Sequence, residues 1–195
     1  MCGRYFYDQD HPLLASFFEK VKENHPHHHL QNSTILPGGE TLVLGQNYKG
    51  KIKASSMKWG FQAHNKLIVN ARSETILERP LFREDFLHFR LVYPMTAFYE
   101  FDSHHHPHLF FEENHQPLFV AGFYHFRQKN YESILLTQQA NSDTSYVHHR
   151  MPVIIHPEEV RSYLTDPDFA QHYISVDHSP QLIEDEIPND SLSLF

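Results

Sequence analysis

Between Leu91 and Gln139 the chain reads as a succession of short strand-like runs. They are Leu91–Tyr93, Ala97–Phe101, His108–Glu112, Leu118–Phe126 and Tyr131–Gln139, rich in branched and aromatic residues and parted by polar breaks. That succession commits the middle of the chain to β-sheet. Further runs at Cys2–Tyr7, Leu42–Leu44, Lys51–Trp59 and Leu67–Asn70 extend the pattern, with Asn47–Gly50 as a turn. Helical spacing is confined to the flanks. His11–Glu23 places Leu13, Leu14, Phe17, Phe18 and Val21 on one face behind Pro12. Ser73–Glu78 and Leu81–Phe89 are helical pieces parted by Pro80, and Pro157–Leu164 opens with Pro157, Glu158 and Glu159 at its positive end. The expected fold is α+β, a strand-rich, barrel-like core with peripheral helices. It is expected to form one domain over 1–195, with an acidic, loosely held tail from about Asp177.

The chain has 195 residues, enough to bury a core. Its net charge of −8 speaks against a general nucleic-acid binder, although a local basic groove is compatible with it. Cys2 is the lone cysteine, so no internal disulfide forms, which suits a reducing, cytoplasmic setting. No apolar stretch approaches the roughly 20 residues of a membrane span. A monomer is expected, with no cofactor. The histidine groups His25, His27, His28, His29 and His104, His105, His106, His108 invite a metal reading, but adjacent histidines cannot all face one ion; surface loops are the expected account, with no metal.

Removal of Met1 would leave Cys2 at the N-terminus with a nucleophilic thiol and an α-amine of pKa near ~8. Together these groups can close a thiazolidine ring on an aldehyde; the alternative is an inert cysteine beginning a strand. Asn70, at a strand end before a helix, either holds an oxygen or caps that helix. Glu100 interrupts an aromatic strand and lies either on a solvent face or inward, where burial would make it an acid or base near neutrality. His148 and His149 precede an apolar run and are either structural or catalytic. Arg150 either binds an anion or closes a salt bridge, and Trp59 either stacks on a base or fills the core.

In this order, Met1-Cys2-Gly3-Arg4, Met57-Lys58-Trp59-Gly60-Phe61, Asn70-Ala71-Arg72-Ser73-Glu74-Thr75, Phe98-Tyr99-Glu100-Phe101, Leu136-Thr137-Gln138-Gln139-Ala140-Asn141 and His148-His149-Arg150-Met151-Pro152 resemble the SOS response-associated peptidase (SRAP) family from residue 1 to about 165. The resemblance implies a covalent sensor of abasic sites in single-stranded DNA. Cys2 would attack the ring-opened sugar aldehyde, Asn70 would position the amine or sugar oxygens, Glu100 would shuttle protons, and His148, first in the family's H-x-R-M-P pattern, would assist the Schiff-base steps. Arg4, Arg72 and Arg150 would grip phosphates and Trp59 would meet a base. With Phe82-Arg83 and Arg90-Leu91-Val92, which also match family pieces, five of eight arginines, Arg4, Arg72, Arg83, Arg90 and Arg150, fall in motif segments, a route to a basic cleft on an acidic protein.

The chain departs from the family in Ala97 and Phe101, where glycine and tryptophan are usual, and in Trp59–His64, which lacks a proline and a second tryptophan. Two other functions compete with the crosslinker: a Cys2-dependent autopeptidase or amidohydrolase, and a non-enzymatic relic binding module.

Overall fold

The computed structural model describes residues 2–24, 30, 33–63, 65–127, 130–185 and 187. In chain order the elements are β1 (Tyr5–Tyr7), α1 (Pro12–Asn24), β2 (Ser33–Ile35), β3 (Glu40–Gln46), β4 (Ile52–Trp59), β5 (Phe61–Ala63), β6 (Lys66–Ile68) and β7 (Asn70–Arg72). After a 3-10 turn at Ser73–Glu78 come α2 (Arg83–His88), β8 (Arg90–Met95), β9 (Ala97–Phe101), β10 (Pro107–Glu112), β11 (Leu118–Arg127) and β12 (Asn130–Gln139). Then follow β13 (Arg150–Pro152), β14 (Ile154–Ile155), a 3-10 turn at Pro157–Glu159, α3 (Val160–Thr165), α4 (Pro167–Tyr173) and β15 (Leu182–Asp185).

Five strands close into a barrel: β12 pairs with β4, β4 with β3, β3 with β8, β8 with β11, and β11 with β12 again. The expected strand-rich, barrel-like core is therefore present. Gly122 allows it to close, because a Cβ there would lie 2.5 Å from the Tyr93 ring and 2.6 Å from the Ile134 carbonyl. A second sheet, in the order β15-β10-β9-β1-β2, packs beside the barrel. Tyr5 joins the two layers: its ring lies 5.1 Å from Trp59 and 6.3 Å from Tyr93, and its hydroxyl bonds Thr41 Oγ1.

β4 and β7 lie end to end along one edge of β12. Lys58 and Trp59 stand beside Glu132 and Ser133, while Asn70, Ala71 and Arg72 stand beside Leu135, Leu136 and Thr137, both in parallel. The intervening residues leave this edge as the β5–β6 hairpin and return to it. Gly60 starts the excursion at φ +118°, a conformation that glycine adopts freely. Trp59 closes its base, donating from Nε1 to the Val69 carbonyl at 3.0 Å.

Helices cover the outside. α1 begins with Pro12 at its first turn and buries Leu14 and Val21. α4 is capped by Asp166, whose side chain accepts from the Asp168 and Phe169 amides. Arg90 is buried and donates to the carbonyls of Phe86, Leu87, Tyr163 and Leu164, so one cation serves the C-terminal ends of α2 and α3.

Two expectations change. The segment from Asp177 is not loose over its described length: Asp177 accepts from Gln138 (2.6 Å) and Asn141 (3.2 Å), and β15 pairs with β10. Polar side chains at intervals, rather than an apolar run, hold it, which is why its sequence reads as a tail. The helix expected over Pro157–Leu164 is a 3-10 turn continuing into α3, with α4 following it.

Candidate functional site

Four polar residues from separate segments meet beside the C-terminal half of β12. Cys2 enters on the segment leading into β1, Asn70 begins β7, Glu100 lies near the end of β9, and His148 stands just before β13. Their elements converge because β1 pairs with β9, whereas β7 and β13 both pair with β12.

Cys2 is fully buried, and its thiol donates weakly to the Arg4 carbonyl at 3.6 Å. Burial pushes this thiol well above the usual range, and the Glu100 charge pushes it further. Asn70 donates from Nδ2 to the Cys2 carbonyl at 2.7 Å. Its Oδ1 is buried with no hydrogen-bond partner among the described residues. Such an acceptor, on a side chain bonded to Cys2, suits an incoming N–H or O–H. Asn70 does not cap the following turn, whose N-cap, Arg72, has no side-chain cap bond.

Glu100 faces inward, with 1% of its surface exposed, and burial raises its carboxyl to about 7. His148 lies next to it, Nδ1 to Oε2 being 3.8 Å. The Arg150 amide donates to His148 Nδ1 at 3.0 Å, an arrangement that places the neutral ring's proton on Nε2. Desolvation lowers the pKa of this imidazole. His149 is exposed and stacks on His148 at 4.3 Å between ring centroids, so His148 is the member of the pair beside Glu100.

The residues assigned to DNA divide. Arg72 is exposed, and Arg4 is half-buried with its guanidinium 5.9 Å from the centre of the Tyr99 ring and 5.5 Å from that of Phe101. Arg150, by contrast, is buried, and its fork is directed at Glu74, at 2.5 and 2.9 Å, and at the Thr137 carbonyl at 2.6 Å. It takes the salt-bridge alternative and holds Glu74 below the usual carboxylate range. Trp59 has no exposed surface and takes the core alternative. The basic cleft drawn from the motif arginines therefore loses Arg90 and Arg150 to the scaffold.

Sequence reasoning missed the strap that holds the His148 loop. The Leu182 amide donates to Asp143 Oδ2 (3.0 Å) and the Tyr146 hydroxyl donates to Glu184 Oε2 (2.7 Å). Glu184 Oε1 also meets His108 Nδ1 at 2.8 Å. The signal available was the apolar pair Leu182-Ile183 ahead of Glu184-Asp185, which is too short to identify a strand.

His104, His106 and His108 lie around Asp102, which accepts from the His104 and His106 amides and whose carboxylate is held down at about 2, chiefly by the His106 amide. Among the described residues no three potential ligands gather as a metal site, and no helix is long and apolar enough to cross a membrane. His25, His27, His28 and His29 lie outside the described residues.

The fold is similar to crystal structures of a protein from Bacteroides thetaiotaomicron (TM-score 0.78, 20% identity, covering 98% of this chain and 94% of that one) and a phage-related protein from Bordetella bronchiseptica (TM-score 0.71, 19% identity, 95% of each). In sequence the chain is 29% identical to the abasic site processing protein YoqW of Bacillus subtilis over 88% of this chain and 85% of that protein. It is 28% identical to YobE of the same organism, likewise named an abasic site processing protein, over 94% and 99%. The model of the SOS response associated peptidase family matches residues 1–184, and the chain belongs to that family.

Proposed function

We propose that this protein captures abasic sites in single-stranded DNA through Cys2, once Met1 has been removed, as a thiazolidine crosslink. The observation that carries the reading is the meeting of Cys2 with a carboxyl raised to about 7 and with the unsatisfied Asn70 Oδ1. The names of the Bacillus relatives support the substrate.

The chemistry then follows from the groups present. The Cys2 amine adds to the C1′ aldehyde of the ring-opened sugar, steadied by Asn70 Oδ1. Protonated Glu100 gives its proton to the carbinolamine hydroxyl, which leaves as water, and an imine forms. The Cys2 sulfur attacks the imine carbon, and the thiol proton passes to nitrogen by way of Glu100 and His148. The balance is aldehyde plus aminothiol giving thiazolidine plus water. The steps run in reverse when Glu100 reprotonates the ring, so the crosslink is self-reversing.

A thiazolidine needs the Cys2 amine and thiol together, whereas acyl transfer through the thiol needs a base and an oxyanion site. A buried cysteine favours a sugar that swings out of the strand, which costs less in a single strand than in a duplex. Arg72 and Arg4 are the phosphate contacts in this proposal. We place the protein in the cytoplasm as a monomer.

Intact-protein mass spectrometry after incubation with a single-stranded oligonucleotide bearing one abasic site tests the reading. The expected product is the chain without Met1 plus one strand less water. Cys2→Ser keeps the amine and should give an adduct only when borohydride reduces the imine. A denaturation-resistant adduct from Cys2→Ala, or none from the wild type lacking Met1, overturns the proposal; in the latter case acyl transfer or a relic module takes its place.

A further inference from the structure

At the end of the barrel opposite Cys2, an open groove of about 770 Å³ crosses the outer faces of β3 and β4. Its floor includes Val43, Gly45 and Met57, and one wall is formed by Tyr124 and Tyr131. Around that wall runs a row of rings: Phe89 to Tyr124 at 5.3 Å, Tyr124 to Tyr131 at 6.0 Å, and Tyr131 to Phe126 at 4.6 Å. Phe89, Phe126 and Tyr131 are 43%, 56% and 52% exposed, and Tyr48, at the β3–β4 turn, is 92% exposed. Large rings so exposed on neighbouring strands do nothing for the core.

The charge along the β3–β4 hairpin, from Gln46 to Met57, has one sign. Lys49, Lys51 and Lys53 are all exposed, and there is no acidic residue between Gln46 and Met57. The lining of the groove includes Lys53 and, among the described residues, no carboxylate. Lys49 Nζ lies 5.4 Å from the centre of the Tyr48 ring, so cation and ring share one tip. In a chain of net charge −8 this is a local reversal.

We propose that this face is a second contact surface for single-stranded DNA, with bases stacking on the Phe89–Tyr124–Tyr131–Phe126 row and phosphates following the three lysines. Exposed rings interleaved with cations recognise a single strand, because every unpaired base offers a π-face whatever its sequence. A duplex hides those faces, and an apolar partner would gain nothing from the lysines. β12 sets the distance: Tyr131 stands near its start and Gln138 beside β13, roughly 23 Å apart at ~3.3 Å per residue. The strand held here therefore lies away from the one being captured, and occupancy does not depend on Cys2.

The test is fluorescence anisotropy with undamaged oligothymidylate, over a salt series, on the full chain. Lys49→Ala/Lys51→Ala/Lys53→Ala should flatten the slope of log K against log salt by about 2, since each single-strand phosphate contact contributes ~0.7. Tyr131→Ala and Phe126→Ala should each weaken binding about fivefold or more while leaving that slope unchanged. These positions are exposed, and unchanged melting curves would exclude misfolding. Affinities within twofold of wild type for all variants, or no binding by wild type, overturn the proposal. So does concentration-dependent dimerisation that Tyr131→Ala abolishes, which would assign the face to a second copy. A short abasic oligonucleotide confined to the Cys2 site should crosslink to every variant as to wild type, which separates this proposal from the crosslinking reading.

Discussion

A carboxyl raised to about 7 changes charge where ordinary glutamates are long since ionised, so Glu100 makes both stability and activity depend on pH. Its folded pKa lies above the unfolded value. The contribution to stability is therefore complete below about pH 4.5 and is lost as pH rises through 7, by on the order of 3 kcal/mol. Denaturant titrations at about pH 5 and about pH 9 should show this loss in the wild type and not in Glu100→Gln. The same substitution should slow crosslinking about 100-fold and remove an apparent pKa near 7 from the pH profile, as read from denaturing gels of timed reactions. Arg150→Ala should lower stability by roughly 3 kcal/mol through loss of charge-assisted bonds to Glu74 and Thr137, a change that thermal melts would detect. At this scale the sequence named the residues without their environments. Glu100 could have faced either way until β9 was placed between β1 and β10, and Arg150 or Trp59 could have met DNA until their partners were known. A letter in a motif does not say which of its possible partners the fold supplies.

Among the elements, the strap from Asp177 to Asp185 is the one whose role lay furthest from its sequence. Its bonds to Asp143 and Tyr146 fix the loop that presents His148. Glu184→Gln together with Tyr146→Phe should slow crosslinking about tenfold while leaving affinity for undamaged strand unchanged. A fall in both measures together would mean the strap merely stabilises the fold. The strands of the central run were legible because alternating or continuous apolar residues follow from burial on one face or both; β8, buried along its whole length, is the extreme case. β2, β5, β13 and β14 are too short for any period to appear, and their strand character comes from the partners they pair with. Gly122→Ala belongs to this scale too. A methyl group driven against Tyr93 and the Ile134 carbonyl should cost about 3 kcal/mol, and the melting temperature should fall by roughly 6–12 °C.

Across the whole molecule, β12 carries the architecture: it closes the barrel through β4 and β11, and its far half receives β7 and β13 with the residues that flank Cys2. The fold class was legible because strand content, flanking helices and motif order agreed. The barrel-like form was expected, but the pairing that closes it was not located, because it joins residues more than seventy positions apart. Placing β4 and β7 end to end on β12 has a consequence for how such a chain can vary. The chain departs from the strand edge after Trp59 and rejoins it at Asn70, with the Trp59 indole fastening the two ends of the detour. Phe61 at its start is buried in the core, but the outer part of the detour beyond Gln62 is a side road, and its length is free of the barrel's geometry. Doubling it would add only about 0.6 kcal/mol of closure entropy. A graft of new sequence there should leave Asn70 where it stands, making this the natural point at which to lengthen, label or diversify the protein.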